Sequence, residues 1–278
     1  MPEMPEVQAH AERLTEDFGG DELRGFRPIT FTALKTYAPA PDEAYGHPLL
    51  DVGRRGKYLL LRFEPVTFVV HLMQGGRLKV DEKQAAKPRG GQARWTFADG
   101  RALLLTEAGT ERKAGVWVVA GELDGQDPLD GLGPEAADLD RATLGRLLAE
   151  HKMRLHGWLR DQRIVAGIGR RLANEICHRA GLSPFASTGK LDGEAVDRLH
   201  AAMADCIAES LADERSRSDM SSSKERPGAV HHREGEACPV CGDAVRAVEY
   251  ARYTVNYCPT CQTGGKVLAD NTTSKFLK

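Results

Sequence analysis

A chain of 278 residues, 41% of them hydrophobic, can bury the cores of roughly two domains without disulfide staples. No apolar run approaches the about 18 residues that a membrane span needs, and the acidic, polar start does not resemble an export signal, so a cytoplasmic protein is expected. The net charge of −2 conceals local excesses: ten Lys/Arg against three Asp/Glu from Gly53 to Arg94, eight against two from His151 to Lys190, and two Arg against eight acids from Ala120 to Glu150. The two basic blocks are candidate anion-facing surfaces, and the acidic stretch reads as a solvated connector.

In chain order, Val7, Ala11, Leu14 and Phe18 recur at helical spacing after Pro5, and Gly19-Gly20 stops the pattern. From about Arg24 to Ala120 the runs are short and strand-like: Tyr58 to Phe63, Thr67 to Leu72, Arg94 to Phe97, Ala102 to Thr106 and Val116 to Val119. Beyond Pro134 helices are predicted over Asp140 to Glu150 and Met153 to Asp161, and from near Ile168. A longer one carries a core stripe of Val196, Leu199, Met203, Ile207 and Leu211. Glu214 to Arg233 is polar enough to be read as mobile, and a Cys-rich tail follows. The fold class is therefore α+β, with sheet first and helices second.

Four of the six cysteines form Cys238-Pro-Val-Cys241 and Cys258-Pro-Thr-Cys261, the spacing of a closed four-thiolate zinc site. Such a metal is structural, because no position is left for water. Val245 to Tyr257 alternate like a hairpin with Arg252 near its turn, while Cys177 and Cys206 sit on apolar helix faces and read as core. At the other end, trimming of Met1 would leave Pro2 as a secondary amine with a pKa near 8, able to attack an aldehydic carbon, with Glu3 beside it to move protons. Taken alone, a helix lead-in explains these residues as well. Lys57 closes a basic turn before an apolar strand, where a solvated strand end is the simpler reading. Gly167-Ile168-Gly169 is either a tight interhelical turn or a place where backbone N–H groups meet a phosphate.

In combination the pieces are more specific. Met1-Pro-Glu-Met-Pro-Glu-Val7, Arg55-Gly-Lys-Tyr-Leu-Leu60, Gly131-Leu-Gly-Pro-Glu135, Trp158-Leu-Arg-Asp-Gln162, Val165-Ala-Gly-Ile-Gly169 and the two cysteine knuckles occur in one order. By them the chain resembles the formamidopyrimidine-DNA glycosylase / endonuclease VIII family along nearly its whole length. The resemblance implies a helix-flanked β-sandwich (1–120), a linker (121–134), a helix-two-turn-helix domain (135–233) and a four-cysteine zinc finger (234–278). Damaged duplex DNA would lie in a basic cleft, bound by a monomer.

It further implies a bifunctional glycosylase and apurinic/apyrimidinic lyase. Pro2 would be the nucleophile, Glu3 the proton shuttle, Lys57 the proton donor of β-elimination and Arg252 the phosphate contact of δ-elimination. DNA contacts would come from Glu6, Arg112, Lys113, His156, Gly167, Gly169, Arg170 and Arg252. Zinc on Cys238, Cys241, Cys258 and Cys261 is the one cofactor.

Departures from the family pattern fall where DNA is read. Arg170 stands in place of Asn and His156 in place of Lys. Ala114 takes the position of a wedging Phe, with Met73, Gln74, Arg112 and Lys113 as partial substitutes. An alternative is a relative that binds damaged or abasic DNA without excising bases. A zinc-ribbon interaction module would leave Pro2, Glu3 and Lys57 unexplained.

Overall fold

Residues 1–109, 112–222, 225–250 and 253–268 are described by a computed structural model in which sheet and helix separate along the chain. They form two units: Met1–Gly131 with Glu214–Ser223, and Leu132–Asp213 with Lys224–Lys278. Among the described residues no helix is long and apolar enough to cross a membrane.

The first unit opens with α1 (Met4–Phe18), continues through β1 (Leu23–Pro28), β2 (Asp51–Arg55), β3 (Tyr58–Arg62) and β4 (Val66–His71), and closes with β5 (Gly76–Val80), β6 (Gly91–Phe97), β7 (Ala102–Glu107) and β8 (Gly115–Ala120). The strands make two four-stranded antiparallel sheets, ordered β2-β3-β4-β8 and β1-β6-β7-β5. Alternation sends Leu59, Leu61, Phe68, Val70, Val116 and Val118 of one sheet and Phe26, Ala93, Trp95, Leu103 and Leu105 of the other into a shared core. Trp95 ties the layers: its ring centroid lies 5.0 Å from Phe26 and 5.8 Å, edge-on, from Phe68 of the opposite sheet. Val7, Ala11, Leu14 and Phe18 of α1 join the same core, as their helical spacing predicts.

Three strands escape sequence reading: β1, β2 and β5. Each is at the edge of its sheet, where one row of backbone groups is unpaired and charged side chains protect it, so apolar alternation is diluted. The polar Glu214 segment differs from expectation. Met220 is inserted into the sandwich core, and Glu214 and Ser221 are buried. Arg13 donates to the Glu214 carbonyl at 3.0 Å, Arg77 to that of Ser221 at 3.3 Å, and Arg215 grips the Glu12 carboxylate with bonds of 2.8 and 2.7 Å. One apolar anchor and three guanidinium groups thus hold residues 214–222 in place, which composition alone does not reveal.

In the second unit come α2 (Arg141–Glu150), α3 (Leu155–Arg160), α4 (Arg170–Arg179) and α5 (Gly193–Arg215), then the hairpin β9 (Arg246–Tyr250) and β10 (Tyr253–Tyr257), and α6 (Pro259–Thr263). Asp140 caps α2 by accepting the Thr143 N–H at 2.7 Å. The α5 stripe is buried at Val196, Leu199, Met203 and Ile207, while Leu211 is half-buried. The α3–α4 connection is packed rather than solvated: Ile164, Val165, Ala166 and Ile168 are buried. Gln162 staples it, its Oε1 accepting the Gly167 N–H at 3.0 Å and its Nε2 donating to the Ile168 carbonyl at 2.8 Å.

Residues 229–231 are also held, against expectation, by a side chain of α4. The Glu175 carboxylate of α4 accepts the backbone N–H groups of Ala229, Val230 and His231 at 2.6, 3.2 and 2.8 Å. Hydrogen bonds to a charged acceptor are worth more than neutral ones, and their loss strands three donors. Glu175→Ala is therefore expected to destabilise the protein by about 2–3 kcal/mol, seen as a lower urea midpoint at unchanged m-value.

Candidate functional site

Pro2 and Glu3 are buried just ahead of α1. The Glu3 N–H donates to the carboxylate of Glu6 at 2.5 Å, and Glu6 is fully buried. An acid in the first turn suits the positive end of the helix dipole. Farther along, Val52 N–H donates to Thr15 Oγ1 at 2.8 Å, and Arg54 Nε to Gln8 Oε1 at 3.1 Å. Going back along α1 from Thr15 to Gln8 therefore goes forward along β2 from Val52 to Arg54. The two elements are antiparallel, so the start of α1 and the Gly56-Lys57 turn after β2 lie toward the same end of the unit. Gly56 adopts φ +56° in that two-residue turn, a conformation that favours glycine. Lys57 is 9% exposed.

The charge of Lys57 is felt at the base of the hairpin. His71, paired with Tyr58 across β3–β4 with the two rings tilted against each other at 4.7 Å, has its pKa lowered to about 4 by burial and then by Lys57. Its Nδ1 accepts the Met73 N–H at 3.2 Å. On α1, His10 donates through Nε2 to the Leu78 carbonyl at 2.7 Å, and burial holds its pKa at about 4 despite that bond.

Of the residues expected near a flipped nucleotide, Arg112 and Lys113 are exposed, with Arg112 at φ +42°; Thr110 and Glu111 lie outside the described residues. Ala114 is fully buried in the sandwich core, its N–H donated to Glu107 at 2.6 Å. Its side chain faces the protein interior.

In the second unit Gly167 takes φ +104°, Gly169 is the N-cap of α4, and the half-buried Arg170 is its first residue. His156 is buried, its ring parallel to Tyr253 at 6.2 Å. Tyr253 stacks in turn on Tyr250 at 4.7 Å and lies under the Arg160 guanidinium at 4.3 Å. This stack, which sequence reading missed, braces the hairpin beneath its turn; Arg252, assigned to that turn, lies outside the described residues.

The two cysteine knuckles come together. Cys241 Sγ is 3.3 Å from Cys258 Sγ, and Cys238 Sγ is 3.9 Å from Cys261 Sγ. Cys238 and Cys258 are buried, and Cys241 is exposed. His178 of α4 joins them: its ligand nitrogen and the sulfurs of Cys238, Cys258 and Cys261 all lie within 4.8 Å of one another. Burial opposes ionisation of Cys238, yet bonds from the Cys241 and Val240 N–H groups and from His178 bring its pKa down to about 6. Cys258 is pushed up to about 11 by burial and by neighbouring sulfurs, and Cys261 is raised as well. Soft donors crowded so that they cannot all ionise alone are a donor set that a thiophilic divalent cation satisfies.

Comparison with known proteins bears on both units. Residues 1–116 match the family described as the formamidopyrimidine-DNA glycosylase N-terminal domain, and residues 130–222 the formamidopyrimidine-DNA glycosylase H2TH domain. A formamidopyrimidine-DNA glycosylase of Symbiobacterium thermophilum is 32% identical over 281 residues, covering 94% of this chain and 89% of its own. The MutM (Fpg) protein of Thermus thermophilus superposes with a TM-score of 0.80 at 30% identity, covering 96% and 100% of the two chains. The Lactococcus lactis enzyme, solved bound to DNA containing an AP site, superposes at 0.81 with 20% identity over 94% and 99%, a likeness of fold.

His10 and His71 make the first unit sensitive to acid. Each has a folded pKa of about 4 against 6.5 for the free side chain, so the folded state binds fewer protons than the unfolded one. Their contribution is complete above pH 6.5 and is lost as the pH falls toward 4, about 3 kcal/mol for each at the limit. His10→Gln, which keeps a donor for the Leu78 carbonyl but cannot titrate, is expected to reduce the loss of stability between pH 7 and 4.5 by about 2 kcal/mol, measured by urea unfolding at the two pH values.

Proposed function

The chain belongs to the formamidopyrimidine-DNA glycosylase family and is a DNA glycosylase of base excision repair, and from that premise we propose how its own residues carry the reaction. The observation that supports this most is the buried, tethered start of α1: a chain end with little freedom, beside a lysine turn. After removal of Met1, the Pro2 nitrogen attacks C1′ of the damaged nucleotide. The N–C1′ bond forms as the glycosidic bond breaks, and the departing base takes a proton. Glu3 moves protons at this step, held by its place at the helix start. The Pro2 nitrogen gives up its proton, the C1′–O4′ bond of the ring then breaks with O4′ taking a proton, and the opened sugar is left as an iminium on Pro2. Loss of the C2′ proton then expels the 3′ phosphate with Lys57 as proton donor, and a second elimination assisted by Arg252 expels the 5′ phosphate.

DNA is gripped by Arg112 and Lys113, by the Gly167-Ile168-Gly169 turn with Arg170 behind it, and by Arg252. Glu6 and His156 contribute to the DNA contact from buried positions. The N–H groups at the start of α4 suit a phosphate oxygen. Arg170 supplies a longer and more mobile contact than an amide. The metal is zinc on Cys238, Cys241, Cys258 and Cys261; it fixes the hairpin that carries Arg252 and supplies no reacting group. The protein works as a monomer on DNA in the cytoplasm.

The buried Ala114 favours a second reading. With no aromatic from that position to fill the hole left by a flipped base, extrusion costs more, and an abasic site becomes the easier substrate. Duplexes carrying 8-oxoguanine, an oxidised pyrimidine or an abasic site separate the two. Base release and strand cleavage on a damaged-base duplex are expected; cleavage confined to the abasic duplex establishes the lyase-only reading. Lys57→Ala is expected to slow cleavage of the abasic strand about a hundredfold in single-turnover assays, with folding checked by circular dichroism. Wild-type cleavage rates would remove Lys57 from the mechanism.

A further inference from the structure

His178 and the two knuckles offer five donors to a metal centre that takes four, and His178, Cys238, Cys258 and Cys261 already lie within 4.8 Å of one another. His178 comes from the last turn of α4 rather than from either knuckle, and its side chain is buried. Its Nε2 is 3.3 Å from Cys238 Sγ, a hydrogen-bond distance for nitrogen and sulfur. Two Cys-x-x-Cys knuckles already supply four thiolates, and four thiolates around a divalent ion leave a net charge of −2 in a partly buried place. A sulfur bound to metal carries no proton and keeps lone pairs. Between this pair the nitrogen must therefore be the donor.

We propose that His178 is a positioning residue of the metal centre, donating its Nε2–H to the metal-bound thiolate of Cys238; this rests on the zinc reading above. The bond draws charge from the sulfur, makes it a poorer target for protons and slows its departure from the metal. It also fastens the first knuckle to α4. A second link does the same for the other knuckle: Gln262, buried on α6, accepts the Cys258 N–H at 2.7 Å and donates to the Leu182 carbonyl, just past α4, at 2.9 Å. The ribbon is thus joined at both knuckles to the C-terminal end of the helix that begins at Gly169. Outer donors of this kind orient ligands and set how tightly metal is held.

The experiment uses the 278-residue chain loaded with zinc. Zinc transfer to the chelator 4-(2-pyridylazo)resorcinol is timed for the parent, H178Q and H178F. Glutamine can place an amide N–H near the position of Nε2, and phenylalanine fills the space without a donor. The expected result is about ten- to a hundredfold faster release for H178F and release within about threefold of the parent for H178Q. Equal rates for all three, or equal acceleration in both variants, would overturn the proposal. Should H178F not fold, the parent reloaded with cadmium-113 answers without mutation. A scalar coupling from the metal to the His178 Nε2 proton through the Cys238 sulfur is expected; its absence, or direct metal–nitrogen coupling showing His178 to be a ligand, overturns the proposal. A parent chain that binds no zinc fails the metal reading itself, a result distinct from these.

Discussion

An amine at the end of a chain is useful as a nucleophile only if the end does not fray. Chain termini are ordinarily the least ordered part of a domain, and the first unit spends several interactions against that tendency. Val7, Ala11, Leu14 and Phe18 anchor α1 in the sandwich core. Two side-chain bonds, Thr15 with Val52 and Gln8 with Arg54, set its register on β2. Glu6 then holds the Glu3 backbone. The same antiparallel register brings the Lys57 turn to the helix start. Position of the proposed nucleophile and position of the lysine thus follow from one packing arrangement, and loosening it would cost both.

In the second unit the corresponding constraint is the rigidity of α4. Its N-terminus is set by the Gly167–Gly169 turn and the Gln162 staple, and Glu175 in its middle orders residues 229–231. Its last turn reaches the clustered cysteine sulfurs through His178. The Gly167–Gly169 turn and the cysteine ribbon are consequently tied to opposite ends of one helix.

Legibility of all this in the sequence was uneven, for physical reasons. Interior strands and the helices announce themselves because burial on one or both faces enforces periodicity; Leu59 to Leu61 and the α5 stripe are examples. The edge strands β1, β2 and β5 do not, since an edge tolerates Arg, Lys and Pro. Residues 214–222 read as mobile because their anchoring lies in a single Met220 and in arginines distant in sequence. Spacing alone marked the four cysteines, whereas Pro2, Glu3 and Lys57 became candidates only through the family resemblance. His178 and the Tyr250–Tyr253–His156 stack were hidden, because they depend on tertiary contacts between segments far apart in the chain.

The claim on which the functional account turns is covalent attachment through the N-terminal nitrogen. Borohydride reduction during reaction with an abasic duplex, followed by proteolysis and mass spectrometry of the adduct, locates that bond. The reduced sugar is expected on the α-nitrogen of Pro2, in a chain lacking Met1. Attachment to a lysine side chain, or no adduct from a folded, zinc-loaded protein that cleaves the strand, would contradict it.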